Sequence, residues 1–198
     1  MIPELFDGDP IPLNRPGDFD IVAWRDGKYH PQGKAHAPEN IDPIVDACVK
    51  ELRTRYGFKV CPKCFTFWAG TDPLQKIGAI GYCFGAKYVV RHLRPDLGKL
   101  DVGFIVHPSW VGEEELHAIK GPIAVSAAET DAIFPAEKRH ESEIILKETG
   151  VPYQIALFSG VAHGFAVRGD PNNRSARYAK ESTFFHSLQW FGEYLRDE

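Results

Sequence analysis

The sequence lacks a long apolar run and an excess of basic charge. Its apolar stretches are shorter than the roughly 20 residues of a membrane span, which predicts no membrane partner. The net charge is −4 at pH 7 and the pI is about 6.1. This charge balance does not indicate a basic surface, so we expect no nucleic-acid partner. Met1 is followed by Pro3, Glu4 and Asp7, which is untypical of a signal peptide, so we expect a cytoplasmic protein.

Cysteine is also scarce: the chain of 198 residues has four, at positions 48, 61, 64 and 83. Four cysteines do not build a disulfide framework for a chain this long, and free thiols are expected in the cytosol. Cys61 and Cys64 have the CxxC spacing of metal and redox sites. A second CxxC pair or a histidine partner for zinc is missing, as is the helix that follows a redox motif. We expect no metal and no cofactor.

The chain is otherwise of ordinary globular composition, with 43% hydrophobic and 25% charged residues. Its length predicts one domain, 1–198, with a sizeable core. Residues 1–39 are rich in proline and predicted to be irregular, apart from a helical turn around Phe19–Trp24. A helix should follow, capped by Asn40 or Asp42, with Pro43 in its first turn and its end near 56–57.

Short apolar strands then alternate with helices, which predicts a mainly parallel sheet covered by helices on both faces. In such sheets, sites form beyond the carboxyl ends of the strands. The predicted strands are Ile77–Ile80, Asp101–His107, Pro122–Ala127 and Tyr153–Phe158, and the predicted helices are Ala86–Leu93, Glu113–Ile119, Ala136–Thr149 and Ser175–Leu195.

The first of these strands leads into Gly81-Tyr82-Cys83-Phe84-Gly85 and then a helix. This is the strand–turn–helix context of a G-x-S-x-G nucleophile elbow, with Cys83 in place of serine. Glycine is expected at both flanking positions, because a larger side chain would crowd the tight turn. The pentapeptide alone is equally compatible with a buried structural cysteine.

An acid and a histidine follow the elbow in the chain order of α/β-hydrolases, and both come after predicted strands. Cys83 would attack as a thiolate, His163 would take its proton, and Asp131 would orient His163. The backbone N–H of Phe84 would donate to the oxyanion. By itself, Asp131 could merely cap a helix or hold a turn, and His107 also ends a strand and is a rival base.

Four segments together resemble the dienelactone hydrolase family, especially its fungal members. They are the elbow, His107-Pro108-Ser109, Glu129-Thr130-Asp131 with Pro135, and His163-Gly164-Phe165 with Arg168. The resemblance implies an α/β-hydrolase-like three-layer sandwich, a Cys83–Asp131–His163 triad and hydrolysis of a lactone or small ester. It also makes Arg168 a candidate anchor for a substrate carboxylate, although a solvated surface arginine is an equal alternative.

Two departures from the family affect this expectation. The chain starts late, at a segment that resembles the loop after an early family strand, so we expect the first strands and the second oxyanion donor to be missing. Residues 60–75 are an anomalous insert, since joining Lys59 to Lys76 would give an ordinary helix–loop–strand. A translated intron is one hypothesis for it. The sequence thus predicts a poorly active or poorly folded chain; the alternative function is an inactive hydrolase-fold protein that binds a small molecule or partner.

Overall fold

The computed structural model describes residues 1–11, 16–55, 58–60, 67–69, 76–97 and 100–196; side chains are described for these except 55, 58–60 and 67–69. The chain divides into two compact units, 1–70 and 71–198. The single domain 1–198 stays a prediction. Within the described ranges, no helix is both long and apolar enough to cross a membrane.

The first unit contains two helices and a small antiparallel strand pair. Its elements are α1 (Ile21–Arg25), α2 (Pro38–Arg55), β1 (Phe58–Val60) and β2 (Phe67–Ala69). The carboxylate of Asp20 caps α1 by accepting from the N–H groups of Val22 and Ala23. The indole of Trp24, on α1, is buried, stacks on His36 at 4.2 Å and donates to the Asp9 carbonyl. The helical turn predicted near Phe19–Trp24 is therefore present as α1.

The start of α2 was predicted wrongly. The helix begins at Pro38, ahead of the predicted caps, and Pro43 lies inside it rather than in its first turn. A proline is tolerated at a first helical position because its missing N–H has no intrahelical acceptor there, and Pro38 meets that condition. The predicted end at 56–57 lies outside the described residues.

The proposed insert 60–75 is described only in part. Val60 ends β1, and β2 lies within the insert and pairs with β1, Phe58 opposite Ala69. Cys61 and Cys64 lie outside the described residues, so the CxxC interpretation stays untested. The intron hypothesis is equally untouched.

The second unit holds a four-stranded parallel sheet in the order β3-β4-β5-β6. Helices follow the strands along the chain, as crossovers between parallel strands require. Its elements are β3 (Gly78–Tyr82), α3 (Phe84–His92), β4 (Val102–Val106), α4 (Glu113–His117), β5 (Ile123–Thr130), α5 (Ala136–Thr149), β6 (Tyr153–Ala162), α6 (Phe165–Arg168) and α7 (Arg174–Tyr194).

Helices cover both faces of this sheet, which explains why all five residues of β4 are buried. Phe104 belongs to a core cluster with Trp190 of α7. Gly103, the position before Phe104 in β4, faces the opposite side of the sheet: a Cβ there would meet the side chains of Val89 and Leu93. Alternation along the strand thus places one core against α7 and another against α3, which confirms the predicted layered α/β arrangement.

The predicted elements of this unit match the structure closely, but β5 continues to Thr130 instead of ending at Ala127, and there are two further differences. β6 continues to Ala162 instead of ending at Phe158, so the glycine-containing segment before His163 is still strand. The short helix α6 was not predicted. The longer β6 matters for the site, because it carries His163 to the same sheet edge as the residues that follow β3 and β5.

Candidate active site

Three side chains of the predicted triad meet at the carboxyl edge of the sheet. Cys83 follows β3, Asp131 follows β5 and His163 follows β6 directly. Nε2 of His163 lies 3.2 Å from Sγ of Cys83. Nδ1 of His163 lies 2.7 Å from Oδ2 of Asp131. Parallel strands end at a common edge, so residues far apart in sequence form one continuous chain of polar contacts.

The backbone at Cys83 is strained in the manner of a nucleophile elbow. Its φ is 50° and its ψ is −114°, a region that residues other than glycine seldom adopt. Cys83 is also the N-cap of α3, so the positive end of that helix faces the thiol. The turn is fixed to the neighbouring strand, because the N–H of Cys83 donates to the carbonyl of Val106 at 3.0 Å.

The two glycines of the elbow do not share one role. A Cβ on Gly81 would lie 2.5 Å from the carbonyl oxygen of Gly85, so this position requires glycine. A Cβ on Gly85 would meet no described atom within 4 Å. The expectation that Gly85 must also be small is therefore wrong, because the side chain there would point away from the closely packed strand.

Asp131 makes the contacts of both alternatives that the sequence left open. Its Oδ1 accepts from the N–H groups of Ile133 and Phe134 and so holds the turn, while Oδ2 contacts His163. The side chain is only 1% exposed. Burial raises the pKa of this carboxyl, but the hydrogen bonds from His163 and Phe134 outweigh burial and lower it below the usual value. Asp131 is thus ionised beside the imidazole.

Cys83 and His163 shift each other towards the charged forms. Burial raises the pKa of the Cys83 thiol, but hydrogen bonds from His163 and Ser109 and the charge of His163 bring the net pKa below the usual value. Burial likewise lowers the pKa of His163, but the hydrogen bonds to Asp131 and Cys83 raise it to about 9. Both shifts favour a thiolate–imidazolium pair over the neutral thiol and imidazole.

His107, the rival base, does not contact the thiol. It is fully buried after β4, and both of its ring nitrogens lack a hydrogen-bond partner among the described residues. Burial and the charge of His163 lower its pKa to about 4. Its ring instead packs edge-on against His163, with centroids 5.0 Å apart. An imidazole whose pKa is about 4 is too weak a base to hold the proton of Cys83 at neutral pH, and neither nitrogen of His107 has a hydrogen bond to the thiol.

Ser109 is a polar neighbour of the site to which the sequence assigned no role. Its Oγ lies 3.2 Å from Sγ of Cys83 and 3.5 Å from Nε2 of His163. The available signal was its place three residues after the end of β4, the strand paired with β3. Position alone gave no reason to prefer it to His107, since side-chain direction in that loop depends on the backbone turn.

The two remaining predicted residues also lie beside the triad. A hydrogen bond from the N–H of Phe84, the first residue of α3, contributes to the lowered pKa of Cys83. The exposed guanidinium of Arg168 folds back over Gly164, so closely that a Cβ on Gly164 would clash with it. Among the described residues, none forms a hydrogen bond or ion pair with the guanidinium of Arg168, whose backbone N–H donates to the carbonyl of Gly164. Within the same described part, no group of three His, Cys, Asp or Glu residues could hold a metal.

A buried ion cluster supports the loop that carries Ser109. Glu115 of α4 is 2% exposed and accepts from Lys87 and Arg91 of α3, with oxygen–nitrogen distances of 2.7–2.9 Å. Lys87 Nζ also donates to the carbonyl of Trp110 at 2.9 Å. The cluster therefore ties α3, which begins at the thiol, to α4 and to the loop between β4 and α4.

Proteins of related sequence show the family of the chain. The sequence model of the "Dienelactone hydrolase family" matches residues 21–195. The chain belongs to the dienelactone hydrolase family. It is 55% identical to "Hydrolase tropI" of Talaromyces stipitatus over 198 residues, which is 100% of this chain and 71% of that protein. It is 32% identical to "Dienlactone hydrolase 1" of Gibberella moniliformis, over 98% of this chain and 68% of that protein.

Solved structures support the fold. The chain is similar to a putative dienelactone hydrolase from Klebsiella pneumoniae, with a TM-score of 0.57 and 14% identity over 79% of this chain and 66% of that one. It is similar to Thermogutta terrifontis esterase 2, with a TM-score of 0.58 and 18% identity over 80% and 66%. Likeness at this identity shows the fold alone, and it confirms the predicted α/β-hydrolase class. Membership of the dienelactone hydrolase family confirms the prediction of a hydrolase.

Proposed function

We propose that this chain hydrolyses a lactone or a small carboxylic ester, of dienelactone type, through a thioester on Cys83. The observation that carries the proposal is the unbroken contact from Asp131 through His163 to the sulfur of Cys83. The names of related family members, among them "Dienlactone hydrolase 1" and "Carboxymethylenebutenolidase homolog", favour this substrate class.

In the first half of the reaction, the Cys83 thiolate adds to the carbonyl carbon and the carbonyl oxygen takes the negative charge. The backbone N–H of Phe84, at the start of α3, is the donor available for that oxyanion. The tetrahedral adduct then collapses: the carbon–oxygen bond of the ester breaks, and the His163 imidazolium gives its proton to the leaving oxygen. In a lactone, the leaving hydroxyl or enol stays attached to the acyl chain.

In the second half, His163 is neutral and accepts a proton from water as the water oxygen adds to the thioester carbon. Collapse breaks the carbon–sulfur bond, releases the carboxylic acid and restores the thiolate and the imidazolium. Asp131 stabilises the imidazolium at both stages while remaining ionised, because its pKa lies below the usual value.

Arg168 is our proposed anchor for a substrate carboxylate. Its guanidinium lies over Gly164, next to His163, and is not engaged by another described residue. The planar guanidinium matches a carboxylate with two parallel hydrogen bonds. A substrate that carries a carboxylate beside its lactone ring would therefore bind with its ester group facing the thiolate.

The test is a panel of dienelactones and uncharged small aryl esters, assayed with the wild-type chain, Cys83→Ala and Arg168→Gln. We expect slow but measurable turnover by the wild type, none above background in Cys83→Ala, and a thioester adduct on Cys83 visible by rapid-quench mass spectrometry. Arg168→Gln should raise KM for carboxylate-bearing lactones and leave uncharged esters unchanged. Turnover that survives in Cys83→Ala would rule out the thioester mechanism. A folded wild-type chain that turns over no member of the panel would favour a ligand-binding, inactive hydrolase.

A further inference from the structure

A buried hydroxyl lies at the reacting end of the triad. Ser109 is 0% exposed, and its Oγ is within 3.5 Å of both Sγ of Cys83 and Nε2 of His163. Asp131 contacts the opposite nitrogen of the imidazole. Ser109 therefore lies beside the two atoms between which the proton moves, and the proposed mechanism does not use it.

The direction of the hydrogen bond follows from the charge on sulfur. A thiolate has no proton and can only accept, whereas a hydroxyl can donate. With Cys83 ionised, the proton between Oγ and Sγ must belong to Ser109. A donor to a full negative charge forms a stronger hydrogen bond than a donor to a neutral thiol, so the contact favours the thiolate.

We propose that Ser109 is a fourth polar member of the active site, whose hydroxyl donates to the Cys83 thiolate and stabilises the resting ion pair. The inference rests on the proposed function, because it concerns the same sulfur. Ser109 shares this task with the Nε2–H of His163, which approaches Sγ at the same distance of 3.2 Å.

The backbone keeps the hydroxyl in place. The N–H of Ser109 donates to the carbonyl of Cys83 at 3.1 Å, which joins the two residues directly. The next residue, Trp110, has a φ of 55°, and its carbonyl accepts from Lys87 Nζ. Lys87 is in turn fixed by the buried carboxylate of Glu115. Because the loop is anchored on both sides of the hydroxyl, Ser109 is preorganised to meet the thiolate.

A hydrogen bond from Ser109 to the thiolate has two opposite effects on the reactivity of Cys83. Stabilising the thiolate increases its population at neutral pH, but a better stabilised thiolate is a weaker nucleophile. Removing the hydroxyl should therefore move the pH at which Cys83 becomes reactive upwards, with little loss of the maximal rate at high pH. A serine that only fills space would leave that pH unchanged.

The experiment follows alkylation of Cys83 by iodoacetamide in the full chain. Rates are measured from about pH 5 to 10, where thiols titrate, and are counted on the Cys83 peptide so that other cysteines do not interfere. The variants are Ser109→Ala, Ser109→Thr, which keeps the hydroxyl, and His163→Gln. Ser126→Ala is the matched control, since Ser126 is equally buried and its hydroxyl has no partner among the described residues.

In Ser109→Ala we expect a higher midpoint pH and a rate at neutral pH that is about 3- to 10-fold lower, the effect of losing one hydrogen bond of ordinary net strength. Ser109→Thr should restore most of the rate, and Ser126→Ala should match the wild type. An unchanged midpoint in Ser109→Ala, with a slow His163→Gln, would overturn the role of Ser109 alone. Equal rates in wild type and His163→Gln would instead contradict the proposed triad. If Ser109→Ala does not fold, Ser109→Gly replaces it, and its midpoint pH for alkylation of Cys83 is compared with that of the wild type.

Discussion

His107 and His163 follow two strands of one sheet, β4 and β6, and their rings lie 5.0 Å apart. Burial lowers the pKa of both imidazoles. For His107 the charge of His163 adds to burial, and the pKa falls to about 4. For His163 the hydrogen bonds to Asp131 and Cys83 outweigh burial, and the pKa rises to about 9. At neutral pH the imidazole of His107 is therefore neutral and that of His163 is positively charged, although both lie at the same edge of the sheet.

The comparison teaches that acidic partners, rather than burial, decide which histidine can act as a base. His163 is 15% exposed at its side chain, and each ring nitrogen has a partner that carries or can carry a negative charge. His107 is fully buried and has no hydrogen-bond partner for either nitrogen among the described residues. The same low-polarity surroundings strengthen the ion pair of one and keep the other neutral.

Among substitutions that leave the thiol in place, the largest effect on hydrolysis is expected from His163→Gln. Without the imidazole, Cys83 loses the proton acceptor and the positive charge that favours the thiolate, so ester hydrolysis should fall by about 10²-fold or more. Alkylation of Cys83 at neutral pH should fall with it. Assays of both rates check this, with His140→Gln, an exposed histidine on α5, as the control. Wild-type rates in His163→Gln would remove the distinction between the two histidines.

Asp131→Asn should have the next largest effect. The amide keeps an oxygen for the turn but removes the negative charge beside Nδ1, so the pKa of His163 should fall and the ion pair with Cys83 should weaken. We expect hydrolysis to drop by about 10- to 100-fold, within the range of acid–base contributions. Asp170→Asn is the matched control, because Asp170 also accepts from a backbone N–H but lies in an exposed loop. A pKa of His163 that stays near 9 in Asp131→Asn would contradict this account.

Cys83→Ala should shift the titration of His163 without touching that of His107. The thiolate is one of the two partners that raise the pKa of His163, so the pKa should fall from about 9 towards 6.5. It should remain above that of His107, because Asp131 is still in place. Imidazole proton resonances followed by NMR across pH give both values, assigned with the His163→Gln and His107→Phe variants. No movement of the His163 pKa would show that the thiol is not coupled to it.

The smallest effect on reactivity is expected from His107→Phe, which keeps an aromatic ring but has no nitrogen to titrate. Alkylation of Cys83 should stay within about threefold of wild type, as for a residue outside the proton path. The substitution should instead change how stability depends on pH below 6.5.

The pKa of His107 is about 4 in the folded chain and 6.5 ordinarily, so as the pH falls the unfolded chain takes up this proton at a higher pH than the folded chain does. Stability is then lost as the pH falls from 6.5 towards 4, by at most about 1.4 kcal/mol per pH unit.

Thermal melts of wild type and His107→Phe across that pH range check whether His107 destabilises the folded chain as the pH falls. The wild type should lose more stability than the variant between pH 6.5 and pH 4, and the two should run parallel above pH 6.5. His163 contributes in the opposite sense: its raised pKa gives stability that is complete below pH 6.5 and lost as the pH rises through about 9. If the melting temperatures of wild type and His107→Phe changed in parallel over the whole pH range, His107 would have the same pKa in the folded and unfolded chains.

Much of the second unit could be predicted from the sequence, because strand and helix periods are local. The predicted helix Ala136–Thr149 has the observed bounds, and the predicted strand Asp101–His107 contains β4. Pro43 misled the prediction for α2, since a proline near a helix start is ambiguous between the first turn and the interior. The helix α6 was missed because four residues carry too little periodicity to be distinguished from a turn.

The sequence by itself determined the chemistry that is available: a thiol in a glycine-flanked turn, an acid and a histidine after later strands, and the family they resemble. Only the tertiary structure decided between His107 and His163 as the neighbour of the thiol, brought Ser109 to the sulfur, and left open space at Gly85. The physical reason is that charge states and contacts depend on distances across strand ends. Those distances are set by sheet register and loop conformation, which no local sequence pattern contains.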